Sequence, residues 1–257
     1  MRVTILGSRG DSTNAVINAI SERYEDVTAI IEDDVPLKQF LGRRIRGLGV
    51  RTVLGQVAFA AIVPRILRKK SARRIEQIKR QYHLKTDDGY KDRIRCKFVV
   101  SINDRSAARA IIQSKPDIII VNGTRIISKS IIERARVPMI NMHMGITPKY
   151  RGVHGGYWAM VNHDEENCGV TIHMVDEGID TGSVICQKRI PVQPRDNYIT
   201  YPYLQAGVGI RAELMVLENF EKTGRIDTHT VELPSMLWTH PTLWQYIKNR
   251  KINGRVS

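Results

Sequence analysis

Three polar residues stand where an apolar framework would present them. Val137-Pro138-Met139-Ile140 reads as a buried strand and runs into Asn141-Met142-His143. Asn141 and His143 are two apart on extended chain, so their side chains point to the same side. A second strand, Gly169 to Met174, leads to a loop ending Asp176-Glu177-Gly178-Ile179-Asp180-Thr181-Gly182, which brings Asp180 toward the same edge. An amide donor, an imidazole and a carboxylate converging on one point suit acyl transfer to an amine. In that chemistry a carbonyl is attacked, an oxyanion needs a donor and protons must move. Asn141 would donate to the oxyanion. His143 would donate to it or relay a proton, and Asp180 would hold the imidazole or an ordered water and help deprotonate the amine. No Ser or Cys sits in a nucleophile's context, which favours direct transfer over a covalent acyl-enzyme.

Other chemistries fit less well. His143, His154, His163 and His173 lack HxxxH or HExxH spacing, so no metal is expected. Cys96, Cys168 and Cys186 are too scattered for a disulfide framework or a metal pair, which favours a reducing, cytoplasmic setting. His173 reads as a structural histidine on its strand, and His163 and Asp164 as a solvated loop.

The elements that must carry these residues alternate strand and helix. Arg2–Leu6 reads as the first strand, Val27–Ile31 the second, Lys97–Ser101 the third, then 116–121 and 137–141. Helices are expected to about Tyr24, over Asp104–Gln113 and from near Ser128. The pattern predicts a doubly wound, mostly parallel α/β sheet with ligands at the carboxyl ends of its strands. Ser12-Thr13-Asn14, after the first strand, would offer N–H groups to an anion; Ser12 or Thr13 as a plain N-cap is the competing reading. Glu32-Asp33-Asp34 reads as a solvated loop. Val184–Val192 is a further strand, Asp196 to about Glu221 a long helix, and the tail with Trp238, His240, Trp244 and Tyr246 an aromatic extension packed on the body. The division expected is 1–195 as the catalytic domain and 196–257 as the C-terminal helix and tail.

A chain of 257 residues can bury one full core. Its net charge of +14 is concentrated: Lys38 to Arg95 holds 17 Lys/Arg against four acids, which is +13. This basic insertion, about 37–95, reads as helices broken near Gly49 and Pro64. Two readings stand beside each other: a hairpin whose apolar face packs on the sheet, or an arm for peripheral membrane contact or phosphate groups. No run reaches the roughly 18 continuous apolar residues of a membrane span. The tail aromatics are not interleaved with charge, which disfavours nucleic acid as their partner.

Read together, Asn141-x-His143, Pro148-x-Tyr150-Arg151-Gly152, Gly169-Val170-Thr171-Ile172-His173 and Asp176-x-Gly178-Ile179-Asp180-Thr181-Gly182 resemble the formyltransferase family that uses 10-formyltetrahydrofolate. The resemblance is close over 115–192. It implies a catalytic triad at Asn141, His143 and Asp180. It also implies a pterin site built largely from backbone at Thr124, Arg125, Ile126 and Ile127 and in the loop containing Asp176, Gly178 and Ile179. The family often has Ser where this chain has Gly145, so any contact made by that hydroxyl is not expected here. Among its branches the stretch Arg151–Ala159 looks most like the small sugar N-formyltransferases, with a small-molecule substrate, a nucleotide-linked amino sugar. Substrate contacts expected are Ser12, Thr13, Asn14, Tyr150, Arg151, His154 and Tyr157; Tyr157 and Trp158 equally suit the core of a short helix. Glycinamide ribonucleotide and methionyl-tRNA are the alternative acceptors, an RNA- or membrane-binding protein is the non-enzyme alternative, and a homodimer is left open.

Overall fold

A computed structural model describes residues 1–253 of the chain. Five parallel strands form the first part of one sheet: β1 (Val3–Ser8), β2 (Val27–Glu32), β3 (Arg95–Val99), β4 (Ile118–Asn122) and β5 (Met139–His143). The two-residue β6 (Arg151–Gly152) lies outside this sheet, and β7 (Gly169–Met174) and β8 (Val184–Arg189) complete it antiparallel. The order is β3-β2-β1-β4-β5-β7-β8. Every residue of β2 and β4 is buried, as near-continuous Val/Ile runs in a sheet covered on both faces require.

Helix α1 (Asp11–Ser21) follows β1, α4 (Arg105–Ser114) follows β3, and α5 (Lys129–Ala135) follows β4. A long helix, α7 (Tyr201–Thr223), joins α1 on one face, where Ile5, Ile17, Ile120, Ile140 and Leu217 share a core. The other face is closed by α4 and α5 through Leu6, Ile30, Ala107, Ile111 and Ile131. The sheet is therefore doubly wound. The C-terminal strand β9 (Leu237–Trp238) pairs with β6, and Trp238 stacks near Trp158 and Tyr150. Residues 254–257 of the expected C-terminal segment lie outside the described residues.

The basic insertion forms α2 (Leu37–Leu48) and the 33-residue α3 (Val50–Tyr82). Gly49 separates them with φ of 80°, but Pro64 does not break α3. A mid-helix proline costs roughly 3 kcal/mol; here Phe59, Val63 and Leu67 on either side of it are buried in a third core, which holds the helix straight through. That core is made with α6 (Gly155–Val161), α7 and α8 (Leu243–Asn253), so α3 packs on helices and not on the sheet. Arg74 seals it with two hydrogen bonds of 2.8 Å to the buried Asp196. By length and composition α3 could cross a bilayer, yet one side of it belongs to this core.

Candidate active site

The carboxyl ends of β1, β4 and β5 open onto a cavity of about 590 Å³. Asn141, His143 and Asp180 all line it, as do Thr124 to Ile127 and Asp176, Gly178 and Ile179. The antiparallel register of β5 and β7 sets Asn141 opposite His173 and His143 opposite Thr171.

That pairing brings His173, a buried strand histidine with both ring nitrogens bonded, into the site as a fourth member. Its Nδ1 is 2.7 Å from the Met174 carbonyl and carries the hydrogen there, which leaves Nε2 to accept from Asn141 Nδ2 at 3.0 Å. The Asn141 amide is thereby oriented with its second N–H left for a ligand. Asp180 Oδ1 is 3.7 Å from the same Nε2. Only the partner strand's register reveals this contact, and no spacing within either strand encodes it.

His143 is buried and has both ring nitrogens engaged. Nε2 donates to the Tyr150 carbonyl at 2.7 Å, and Nδ1 lies 3.3 Å from Asp180 Oδ2. Burial pulls the imidazole pKa down, but the hydrogen bond and charge of Asp180 and the Tyr150 carbonyl outweigh it, and the net shift is upward. Burial pushes the Asp180 carboxyl up; the hydrogen bond and charge of His143 and the Gly152 N–H more than offset this, holding it far below the usual carboxylate range. Both ring nitrogens face acceptors and both shifts run toward the charged forms, which favours an imidazolium beside a carboxylate. Asp180 sits at φ of 51°, a left-handed conformation unusual for a non-glycine residue. The Gly152 N–H, 2.9 Å from Oδ2, helps fix it there.

Gly145 explains the missing serine. A Cβ at this position would lie 2.3 Å from the Tyr150 carbonyl oxygen and 2.7 Å from His143 Nε2. The contact that fixes the imidazole needs a residue without a side chain. Gly152, at φ of 92° and with a Cβ position 2.3 Å from the Trp238 carbonyl oxygen, is restricted likewise.

The two loops that flank the triad carry apolar side chains at the cavity: Ile126, Ile127 and Ile179. Thr124 Oγ1 is turned to the Arg125 carbonyl. Arg125 does not reach into the cavity with its charge. Its guanidinium donates to the Val100 and Asp33 carbonyls at 2.9 and 2.7 Å, and its N–H donates to Glu32 at 2.6 Å. Glu32 is buried and also accepts from the Ile102 N–H. It ties together the loops after β2, β3 and β4, so it is no part of a solvated loop. Its place at the end of a fully buried strand was the available signal. Asp176 folds its own loop, accepting from the Gly178 N–H and the Thr181 hydroxyl.

Expected substrate residues divide. Ser12 and His154 line the large cavity and an adjoining one of about 370 Å³, which Arg68 of α3 also walls. Thr13 lines the large cavity but is buried, and both hydroxyls bond the Asn122 amide. Neither caps α1, whose N-cap is Gly10. Asn14 is turned inward, bonding the Thr86 carbonyl and the Tyr90 hydroxyl. Tyr150 and Tyr157 are 1% exposed and belong to the third core, so neither lines a sugar or base. Tyr150 donates to Asp164, which also accepts from Lys149 and Asn167; this acid is an anchor, not a solvated loop residue. Arg151 donates to the Ile179 carbonyl at 3.0 Å and clamps the Asp180 loop.

His154 is joined by His240, with ring nitrogens 3.0 Å apart, and by the Tyr198 hydroxyl at 2.6 Å. Burial and the neighbouring His240 pull His154 down to about 3, and burial and Arg44 pull His240 down to about 4. Both are neutral near pH 7. His240, from the C-terminal tail, also lines the large cavity. Its place there comes from the β6–β9 pairing, a long-range contact that local sequence does not display. Among the described residues no group of His, Cys, Asp and Glu could hold a metal ion.

A polar cluster at the strand ends of a doubly wound sheet, with an oriented amide beside a buried His143–Asp180 pair and, among the described residues, no Ser or Cys nucleophile lining the cavity beside a base, suits group transfer. The family model for formyl transferase matches residues 58–202, more than half the chain, and the chain belongs to that family. A methionyl-tRNA formyltransferase from Thermodesulfovibrio yellowstonii is 38% identical over 104 residues, covering 40% of this chain and 32% of that protein. Such matches span only about a third of these curated relatives. The fold is shared with a sugar N-formyltransferase from a Shewanella species (TM-score 0.54, 13% identity, 92% of this chain and 76% of that one). It is shared equally with glycinamide ribonucleotide transformylase 1 from Symbiobacterium toebii (TM-score 0.56, 15% identity, 92% and 94%).

Proposed function

We propose that this protein transfers a formyl group from 10-formyltetrahydrofolate to a primary amine on an amino sugar nucleotide. The observation that carries the reading is the pair of adjoining cavities. The larger gathers the triad and both Ile-bearing loops; the smaller is walled by Ser12, Arg68, His154, Tyr198 and Tyr203. A flat pterin suits the slot between Ile126, Ile127 and Ile179, with backbone groups to read its edge. A phosphate-bearing acceptor suits the start of α1 beside Arg68, since a helix N-terminus and a guanidinium both favour anions. The neutral His154 and His240 between the cavities can accept from hydroxyls without repelling a cationic amine. Family membership supports formyl transfer, and the sugar enzyme with the shared fold is consistent with a small acceptor.

The reaction follows from the charges. The amine nitrogen attacks the formyl carbon and gains positive charge, while the formyl oxygen gains negative charge. Asn141 donates to that oxygen through its free N–H. Both His143 donors are already spent, so His143 contributes positive charge and not a further hydrogen bond. Asp180, the anionic end of the pair, faces the cationic nitrogen. The ion pair is thus a fixed dipole matched to a zwitterionic intermediate, which needs no rearrangement at the moment of reaction. The new C–N bond persists, the bond from carbon to the folate nitrogen breaks, and the proton leaving the amine ends on that nitrogen.

The test is a panel of acceptors incubated with the full chain and 10-formyltetrahydrofolate, following tetrahydrofolate release. Amino sugar nucleotides should react, and Arg68→Gln should raise their KM about tenfold with little change in kcat. A second reading is favoured by those curated relatives that are methionyl-tRNA formyltransferases. Formylation of methionyl-tRNA with no reaction of any sugar nucleotide would establish it instead.

A further inference from the structure

We infer that the outer face of α2 and α3 docks onto the surface of an anionic lipid bilayer. No residue of α2 is buried. Along the two helices Phe40, Leu48, Leu54, Val57, Ile62 and Ile66 are exposed, Leu54 at 63% and Ile66 at 50%. Scattered exposed aliphatics are ordinary, but a contiguous helical face of them marks an interaction surface. On α3 they recur over the first four to five turns, Leu54 and Val57 turned away from the core stripe of Phe59, Val63 and Leu67, and Ile62 and Ile66 along its exposed margin.

The charge of this face selects its partner. Between Asp34 and Glu76 the chain holds 11 Lys/Arg and no acid. One of these, Arg74, is spent on Asp196, and Arg44 bonds Gln56; Arg51, Arg65, Lys69, Lys70 and Arg73 remain exposed. Two copies packed through this face would oppose cation to cation with no acid in it to answer them, because a two-fold interface presents each patch to itself. Nucleic acid would match the charge but leave the aliphatic side chains without a partner. Anionic headgroups over acyl chains match both, in the manner of a helix lying in the interface plane. A transmembrane span is ruled out by the inner face of α3, whose Gln56, Ser71 and Arg74 bond His240, Asn197 and Asp196 of the body.

The test is flotation of the full chain with phosphatidylcholine vesicles carrying phosphatidylglycerol, against vesicles of phosphatidylcholine alone. Binding should require the anionic lipid and weaken with salt. Two triple variants separate the contributions: Leu54→Gln/Val57→Gln/Ile62→Gln keeps the charge, and Lys69→Gln/Lys70→Gln/Arg73→Gln keeps the aliphatics. Each should lower the partition coefficient at least about tenfold while the circular dichroism melt is retained. The inference is overturned if the chain fails to float with anionic vesicles, if neutral vesicles bind it equally, or if the aliphatic variant floats unchanged. It is overturned too if that variant instead abolishes a concentration-dependent dimer, or if only RNA binds the face. None of these readings requires formyl transfer, so failure here leaves the reaction assignment standing.

Discussion

The strand-end site and the α2–α3 arm are built on opposite principles. Around His143 and Asp180 nearly every polar atom is bonded, charges are paired, and no side chain fits at Gly145. On the arm the outer aliphatics are left exposed, and the outer cations have no acid between Asp34 and Glu76 to answer them. The difference separates two uses of energy. The first region spends burial and strain to preorganise a dipole for a reaction. The second leaves apolar surface and charge unspent, which costs little within the fold and is available to a partner. Between them, α3 has one side of each kind.

The largest effect should come from cutting the ion pair. Asp180→Asn keeps the shape and removes the charge, and formyl transfer should fall about 10³-fold. Retained activity would show that the dipole is not used. Next, Arg74→Ala strands Asp196 in the core and should cost roughly 3–5 kcal/mol in urea denaturation, because it leaves an unpaired buried charge. Exposed Arg73→Ala one position earlier should stay within about 0.5 kcal/mol. Equal effects would break the contrast between the two sides of α3. Gly145→Ala should lower kcat about 10²-fold by displacing the imidazole, a small movement near the reacting groups.

The pair also predicts a pH profile. His143, raised above its ordinary 6.5, adds stability that is full below that value and is lost as pH rises through the folded pKa. Asp180, depressed below 3.8, adds stability above that value, lost progressively as pH falls toward its folded pKa. Denaturation midpoints of the wild type minus those of His143→Asn should therefore be greatest between about pH 4 and 6.5 and shrink on either side. A flat difference would mean that the pair is not charged. The smallest effect is on the arm: Leu54→Gln should alter stability by less than about 0.5 kcal/mol.

These two regions were also unequally legible in sequence. Apolar strands ending in polar residues placed the sheet and gathered Asn141, His143 and Asp180, because strand period and strand ends are local. What failed was non-local. The pairing of His173 with Asn141 depends on antiparallel register, Glu32 depends on three loops meeting, and Tyr150 and Tyr157 were drawn inward by a core that α3 and α8 complete. The proline rule misjudged α3 at Pro64 because tertiary packing on both sides outweighed a local cost. The arm's helical pattern and its concentrated basic charge were visible, but only the structure shows which aliphatics are left outside.

The most direct test of the account is mass spectrometry of an amino sugar nucleotide incubated with 10-formyltetrahydrofolate and either the wild type or Asp180→Asn. The wild type should yield the N-formylated sugar nucleotide, and the variant only a trace at matched time and concentration. No formylated product with the wild type, or equal product from both proteins, would contradict it.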